Sequence, residues 1–340
     1  MKVGTANGPA TFIAGCAFIV FALAAAATGA AAQEKKTVRV VFVSHTWTSS
    51  LPFRIAMARG YFKSQGLTVE PIFIRGGPTA IAALISGDAD FASIGGAQAV
   101  IRSRARGLEI SIIGSISNRV NYVILGNKGT KTIDDLRGKI IGVTGAGAFS
   151  DFATRIFFKN RNIDPDRDVI LRAIGTTPVR AAALENGLIA YAPFSPEDAV
   201  QLLGKGFPLL VNLSDSLTIP QAVIATRSEI LEKYPETTKR FLKAHILGMQ
   251  LARNSKSEAI RAGFEAGLKG DADTVSKAYD LYSRGFTTDL SVAVDGIKVM
   301  LDEDVRAGLV DRNLTVDKVI DERILKVAQQ ELRKEGKLGS

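Results

Sequence analysis

Cysteine is almost missing: the 340 residues hold one, Cys16, inside an N-terminal apolar run. Removal of that run leaves no thiol, which excludes disulfides, thiolate metal sites and a cysteine nucleophile from the folded part. Histidine is nearly as scarce, because His45 and His245 stand far apart with no metal-ligand spacing. No Gly-x-Ser-x-Gly elbow and no His-Glu-x-x-His helix occurs, so two common hydrolase signatures are missing as well. Tryptophan occurs once, at Trp47, and no low-complexity linker divides the chain. No catalytic residue, metal site or cofactor is therefore expected. What is abundant is apolar: 46% of the residues are hydrophobic, enough for one large core or two modest ones.

Lys2, the apolar stretch Ala10 to Ala27 and the small residues Ala30-Ala31-Ala32 before Gln33 predict a cleaved signal peptide over 1–32, and with it a periplasmic location. An uncleaved membrane anchor is the first alternative. Lipidation at Cys16, in Ile13-Ala14-Gly15-Cys16, is the second, although the apolar run follows the cysteine instead of preceding it. The net charge of +9 leaves nucleic acid, anionic lipid and an anionic ligand as partner classes. Arg102, Arg104 and Arg106 do not form a nucleic-acid stripe: on a helix Arg102 and Arg106 share a face and Arg104 points elsewhere.

The stretch 76–100 returns at an offset of one hundred residues. Pro78/Pro178, Ala82/Ala182, Ala83/Ala183, Leu84/Leu184, Gly87/Gly187, Ala92/Ala192, Ala99/Ala199 and Val100/Val200 match. Each copy reads as a strand, a helix entered at proline, a glycine turn, a second strand and another helix start. Strand, helix, strand is the parallel βαβ unit, so the chain builds one α/β lobe twice. From Ser228 onward the pattern is nearly all amphipathic helix.

Four sets of residues together resemble the type II periplasmic solute-binding proteins of ABC importers, in the sulfonate, nitrate and thiamine-precursor group. They are Ala58-Arg59-Gly60-Tyr61-Phe62 with Gly66-Leu67, the run from Gly76-Gly77 to Ala92, Leu136-Arg137-Gly138-Lys139-Ile140-Ile141-Gly142-Val143, and Tyr234-Pro235-Glu236-Thr237 with Phe241-Leu242-Lys243-Ala244. The resemblance implies an α/β, two-lobed type II fold: mixed sheets with helices on both faces, joined by two crossover strands near Asn121 and Val223. It also implies hinge closure on a small-molecule ligand and docking of the closed form on an ABC permease in the inner membrane. The expected divisions are 37–122 for the first part of lobe 1, 123–223 for lobe 2, and 224–332 for a mainly helical return to lobe 1. A monomer is expected.

Ligands of parallel sheets sit at the carboxyl ends of the strands, where loops lead into helix N-termini. Those ends place the ligand-binding candidates at Trp47 and Thr48, Gly76 and Gly77, Ser93, Ile94 and Gly95, Asn118, Gly147, Ala148, Phe149 and Ser150, Thr176, and Phe194. Trp47, Phe149 and Phe194 are the aromatic candidates, with Arg75 and Arg119 the cationic ones. Helix starts favour acceptor or anionic groups, at about 0.3–1 kcal/mol each. An anion such as a sulfonate or carboxylate is thus the first expectation and a neutral heterocycle the second. A cofactor enzyme on the same fold and a transcription-factor effector domain are the rival classes. The export signal counts against both, and the Gly145-Ala146-Gly147 turn departs from a dinucleotide fingerprint at Ser150.

Overall fold

The computed structural model describes Met1 and residues 34–43, 46–74 and 76–339. The expected signal segment, Cys16, His45 and Arg75 lie outside the described residues.

The first lobe begins with β1 (Thr37–Phe42), α1 (Trp47–Ala58), the single turn α2 (Tyr61–Ser64) and β2 (Thr68–Phe73). It continues with α3 (Gly77–Ile85), β3 (Phe91–Gly95), α4 (Gln98–Ala105) and β4 (Ile110–Ser117). The chain then enters a second sheet through β5 (Val123–Gly126), followed by β6 (Ile140–Val143), α5 (Phe149–Lys159) and β7 (Ile170–Ala173). That lobe is completed by α6 (Thr177–Glu185), β8 (Tyr191–Phe194), α7 (Pro196–Gly204) and β9 (Leu209–Asn212). The chain returns to the first sheet with β10 (Ala222–Arg227).

The sheet orders are β2-β1-β3-β10-β4 and β7-β6-β8-β5-β9. In each, four strands share one direction and the strand fourth in order, β10 or β5, is antiparallel to both of its neighbours. The antiparallel strand in each sheet follows a crossover from the other lobe: β5 comes directly after β4, and β10 after β9. The internal repeat is therefore structural, and its glycines have a physical reason. Gly87 and Gly187 close the turns after α3 and α6 at φ +80° and +70°, a left-handed backbone that L side chains rarely adopt.

Six helices follow: α8 (Ser228–Lys233), α9 (Pro235–Asn254), α10 (Lys256–Glu265), α11 (Ala272–Tyr282), α12 (Val294–Arg306) and α13 (Arg323–Lys334). Long α9 lies against α1, where a Cβ at Gly248 would fall on the Pro52 carbonyl oxygen and against Ala56. It also places Phe241 on Phe91, ring centroids 4.1 Å apart, and on Phe62 at 5.5 Å. Full burial of such side chains stabilises by about 1.5–3 kcal/mol each, which pins the helical layer to the first sheet. Among the described residues no helix is long and apolar enough to cross a membrane.

The two lobes meet along several contacts. Lys159 on α5 pairs with Glu303 on α12 at 2.7 Å, and Asn212 Nδ2 donates to the Leu281 carbonyl on α11 at 3.0 Å. Thr48 Oγ1 on α1 donates to Glu197 Oε1 on α7 at 3.2 Å.

Candidate functional site

A cavity of about 210 Å³ lies between the lobes. It is smaller than the ~300–1,000 Å³ of drug-sized ligand pockets, which limits an occupant of this form to a small solute. Both crossovers wall it, through Asn121 and Tyr122 on one side and Gln221 and Ala222 on the other. Val43 and Gly95, just beyond β1 and at the end of β3, close it from the first lobe.

The remaining wall is made of helix starts. Thr46, Thr48 and Ser49 come from the N-terminus of α1, Thr177 from α6, and Ser195 with Pro196 from α7. In none of these three helices does the N-cap side chain accept from the first N–H groups, but α7 carries Glu197 and Asp198 in its own first turn, and the Glu197 carboxylate also accepts from Thr48 in the first turn of α1. The start of α6, with neither a side-chain cap nor a carboxylate in its first turn, is the one that favours an acceptor or an anion there.

Behind this wall lies Arg180, 1% exposed. Its Nε and Nη2 donate to the Pro193 carbonyl at 3.2 and 2.9 Å. Its Nη1 donates to Thr144 Oγ1 at 2.7 Å and to the Gly175 carbonyl at 2.6 Å, and Nη2 also donates to Thr177 Oγ1 at 3.2 Å. All five guanidinium donors are thus satisfied by neutral acceptors. Burial lowers the affinity of Arg180 for its proton, and the acid that acts on it electrostatically, Asp198, instead accepts from Ser195 Oγ at 2.6 Å.

Glu197, in the first turn of α7, has its pKa raised chiefly by burial and secondarily by Asp198, against the hydrogen bond from Thr48. Burial likewise raises the Tyr122 hydroxyl, opposed by the Arg180 charge. Among the described residues no group of three His, Cys, Asp or Glu side chains stands together as a metal site would require.

Of the residues expected from sequence to touch ligand, Thr48 and Gly95 line the cavity. Trp47 does not: it is 3% exposed, its indole donates to the Lys269 carbonyl at 2.8 Å, and its ring meets Phe264 edge-on at 4.9 Å. The loop expected at this position is instead the first turn of α1, so the ring points into the helical layer. Phe194, 0% exposed, and Ile94 are likewise core residues, because inward positions of β8 and β3 serve the sheets' own packing.

Asn118 is consumed structurally, donating to the Ser291 carbonyl and accepting from the Ala293 N–H. Gly147, Ala148 and Ser150 lie outside the cavity lining, and the loop before α5 spends two of its donors internally: Asp151 accepts from the Gly147 N–H and Ser150 Oγ from the Thr144 N–H. Phe149 packs 6.1 Å from Tyr122 and against Gly96, sealing the lobe contact. Gly76, Gly77, Ser93 and Thr176 lie outside the cavity lining, Gly77 pressed against Ala99 and Thr176 one residue before Thr177. Arg119 donates to the Ser214 carbonyl at 2.7 Å and holds a crossover in place.

The aromatic ring that lines the cavity is Tyr122 and the buried cation behind it is Arg180, neither of them among the sequence candidates. The available signals were the crossover position of Tyr122 and the placement of Arg180 one turn inside a cleft helix.

The fold recurs in the aliphatic sulphonate-binding protein SsuA of Escherichia coli, with a TM-score of 0.70, 17% identity and coverage of 85% of this chain and 92% of that one. It recurs also in the nitrate-binding protein NrtA of Synechocystis, with a TM-score of 0.67, 16% identity and coverage of 90% and 92%. At these identities the likeness concerns fold alone, the two-lobed type II periplasmic binding architecture. A candidate binding protein of Brucella abortus is 29% identical over 217 residues, 60% of this chain, so that the match spans 63% of that relative's length. The sequence over residues 47–259 matches the family model described as NMT1/THI5 like, and the chain belongs to that family.

Proposed function

We propose that this protein is the periplasmic solute-binding component of an ABC importer, taking a small anionic organic molecule into the interlobe cavity and delivering it to a membrane permease. The observation that carries this reading is the convergence of three helix starts, that of α6 free of any cap or carboxylate, and both crossovers on one small space, with a buried cation behind it. Each helix start contributes about 0.3–1 kcal/mol toward an anion, rising to about 2 when partly buried. A micromolar ligand requires about 8 kcal/mol, so Tyr122 and the hydroxyls must supply much of the rest. The fold shared with the sulphonate-binding SsuA and the nitrate-binding NrtA supports an anion as the ligand class.

The lobes on either side of the crossovers 118–122 and 213–221 would move as units, closing on the ligand as a monomer. Calorimetry and X-ray scattering of the purified protein against a library of sulfonates, carboxylates and heterocycles test the proposal. The expected result is heat on titration with a smaller radius of gyration for at least one solute. Turnover of a library member without compaction would sink it.

A further inference from the structure

Resting on the reading of the interlobe cavity as a solute site, we propose that Arg180 is its charge-selecting residue, acting through the Thr177 hydroxyl. Arg180 sits on the first turn of α6 with all five N–H groups spent on carbonyl and hydroxyl oxygens, none on a carboxylate. A buried charge without an ion-pair partner is expensive, and hydrogen bonds to neutral groups offset only part of that cost. The positive charge is left for a ligand to compensate.

Thr177 stands between the guanidinium and the cavity. Its Oγ1 accepts from Arg180 Nη2 at 3.2 Å, and the same residue lines the cavity. A hydroxyl that accepts from a cation keeps its single hydrogen for donation, and the polarisation strengthens that donation. Thr177 therefore has a polarised hydrogen free to donate, which favours an acceptor in the group it faces. The start of α6 adds to the same field, because Thr176 leaves its first N–H groups without a side-chain cap.

Asp198 weakens this field but does not quench it. It acts on Arg180 through space while holding its own hydrogen bond from Ser195. Glu197 lies toward α1, where Thr48 donates to it. The acceptor end of a ligand is therefore assigned to the Thr177 side, away from Glu197.

The test measures discrimination between matched probes, since overall affinity responds to any structural damage. Benzenesulfonate is paired with benzenesulfonamide, and benzoate with benzamide, in calorimetric titrations of the wild type, Thr177→Val, Thr177→Ser and Arg180→Met. The wild type is expected to prefer the anionic member by about tenfold or more, equivalent to about 1.4 kcal/mol. Thr177→Val and Arg180→Met should collapse that ratio to within about threefold, whatever they do to the affinity for each probe alone, and Thr177→Ser should retain it. Should Arg180→Met fail to fold, Thr177→Val carries the test alone.

Equal or stronger binding of the neutral probes by the wild type overturns the inference and leaves the solute-binding reading standing. A preference that survives both substitutions overturns it too. So does silence from all four probes at millimolar concentration, in which case the library titration decides the broader reading independently.

Discussion

His245 lies in the first lobe's core, 1% exposed, with Phe53 and Phe241 centroids at 5.9 and 5.8 Å and neither ring nitrogen hydrogen-bonded. Burial lowers its pKa from 6.5 to about 3, so the folded chain keeps it neutral where the unfolded chain protonates it. The unfolded state then binds more protons between those values, and stability is lost as pH falls from 6.5 toward 3. The slope is about 1.4 kcal/mol per pH unit at most. Thermal melts at pH 7, 6, 5 and 4 should show a steeper decline for the wild type than for His245→Leu; parallel curves would mean that the ring protonates in place. A structural role for His245 was legible from its apolar neighbours Ala244 and Ile246 on an amphipathic helix. The size of the pH effect was not, because it depends on rings contributed by α1 and α9 together.

At the scale of elements, α1 shows how packing moves a boundary. Its sequence predicts a start at Pro52, where the pyrrolidine ring suits a first turn. The helix instead starts at Trp47 and carries Pro52 in its interior, at the cost of one backbone hydrogen bond. The extra turn is held by Trp47 docking on α10, where a Cβ at Gly263 would fall on the indole ring and 2.9 Å from Leu51 Cδ1. Gly263→Ala is expected to destabilise the fold by roughly 1–3 kcal/mol through overpacking, although alanine is the better helix former. Urea unfolding followed by the emission of the sole tryptophan checks both parts: an earlier midpoint and a red-shifted native spectrum. An unchanged spectrum would show that the ring is not seated there.

For the whole molecule, the consequential contact is the one between Thr48 on α1 and Glu197 on α7, because it crosses from lobe to lobe. Glu197 is held above its ordinary pKa by burial among groups from both sides, Thr48 and Tyr282 from the first lobe and Asp198 from its own helix. The joined form therefore binds a proton more readily than a separated one. Its stability is fully present below pH 4.5 and declines as pH rises through the elevated value. Scattering at pH 5 and pH 8 should give the more compact ligand-free protein at pH 5, and Glu197→Gln should remove the difference by staying compact at both. Equal dimensions for the wild type at the two pH values would eliminate Glu197 as a titrating contact. Surface pairs such as Lys159 with Glu303 are expected to matter less, since exposed ion pairs contribute ~0–1 kcal/mol.

By itself the sequence determined the doubled α/β lobe and its helical return, because these follow from local signals: proline at helix starts, glycine at left-handed turns, and apolar periodicity. It also identified Thr48 and Gly95, which lie at strand and helix ends whatever the surrounding packing. Tertiary structure alone decided which aromatic lines the cavity and which cation lies behind its wall. Trp47 and Phe194 were drawn into cores by area that only α10 and the second sheet could cover, while Tyr122 was exposed to the cleft by the crossing of the chain. Arg180 could be buried because the ends of β6, β7 and β8 and the start of α6 together present two carbonyls and two hydroxyls to its five donors. Local pattern sets where backbone can turn, whereas the direction a side chain faces is settled by surfaces distant in sequence.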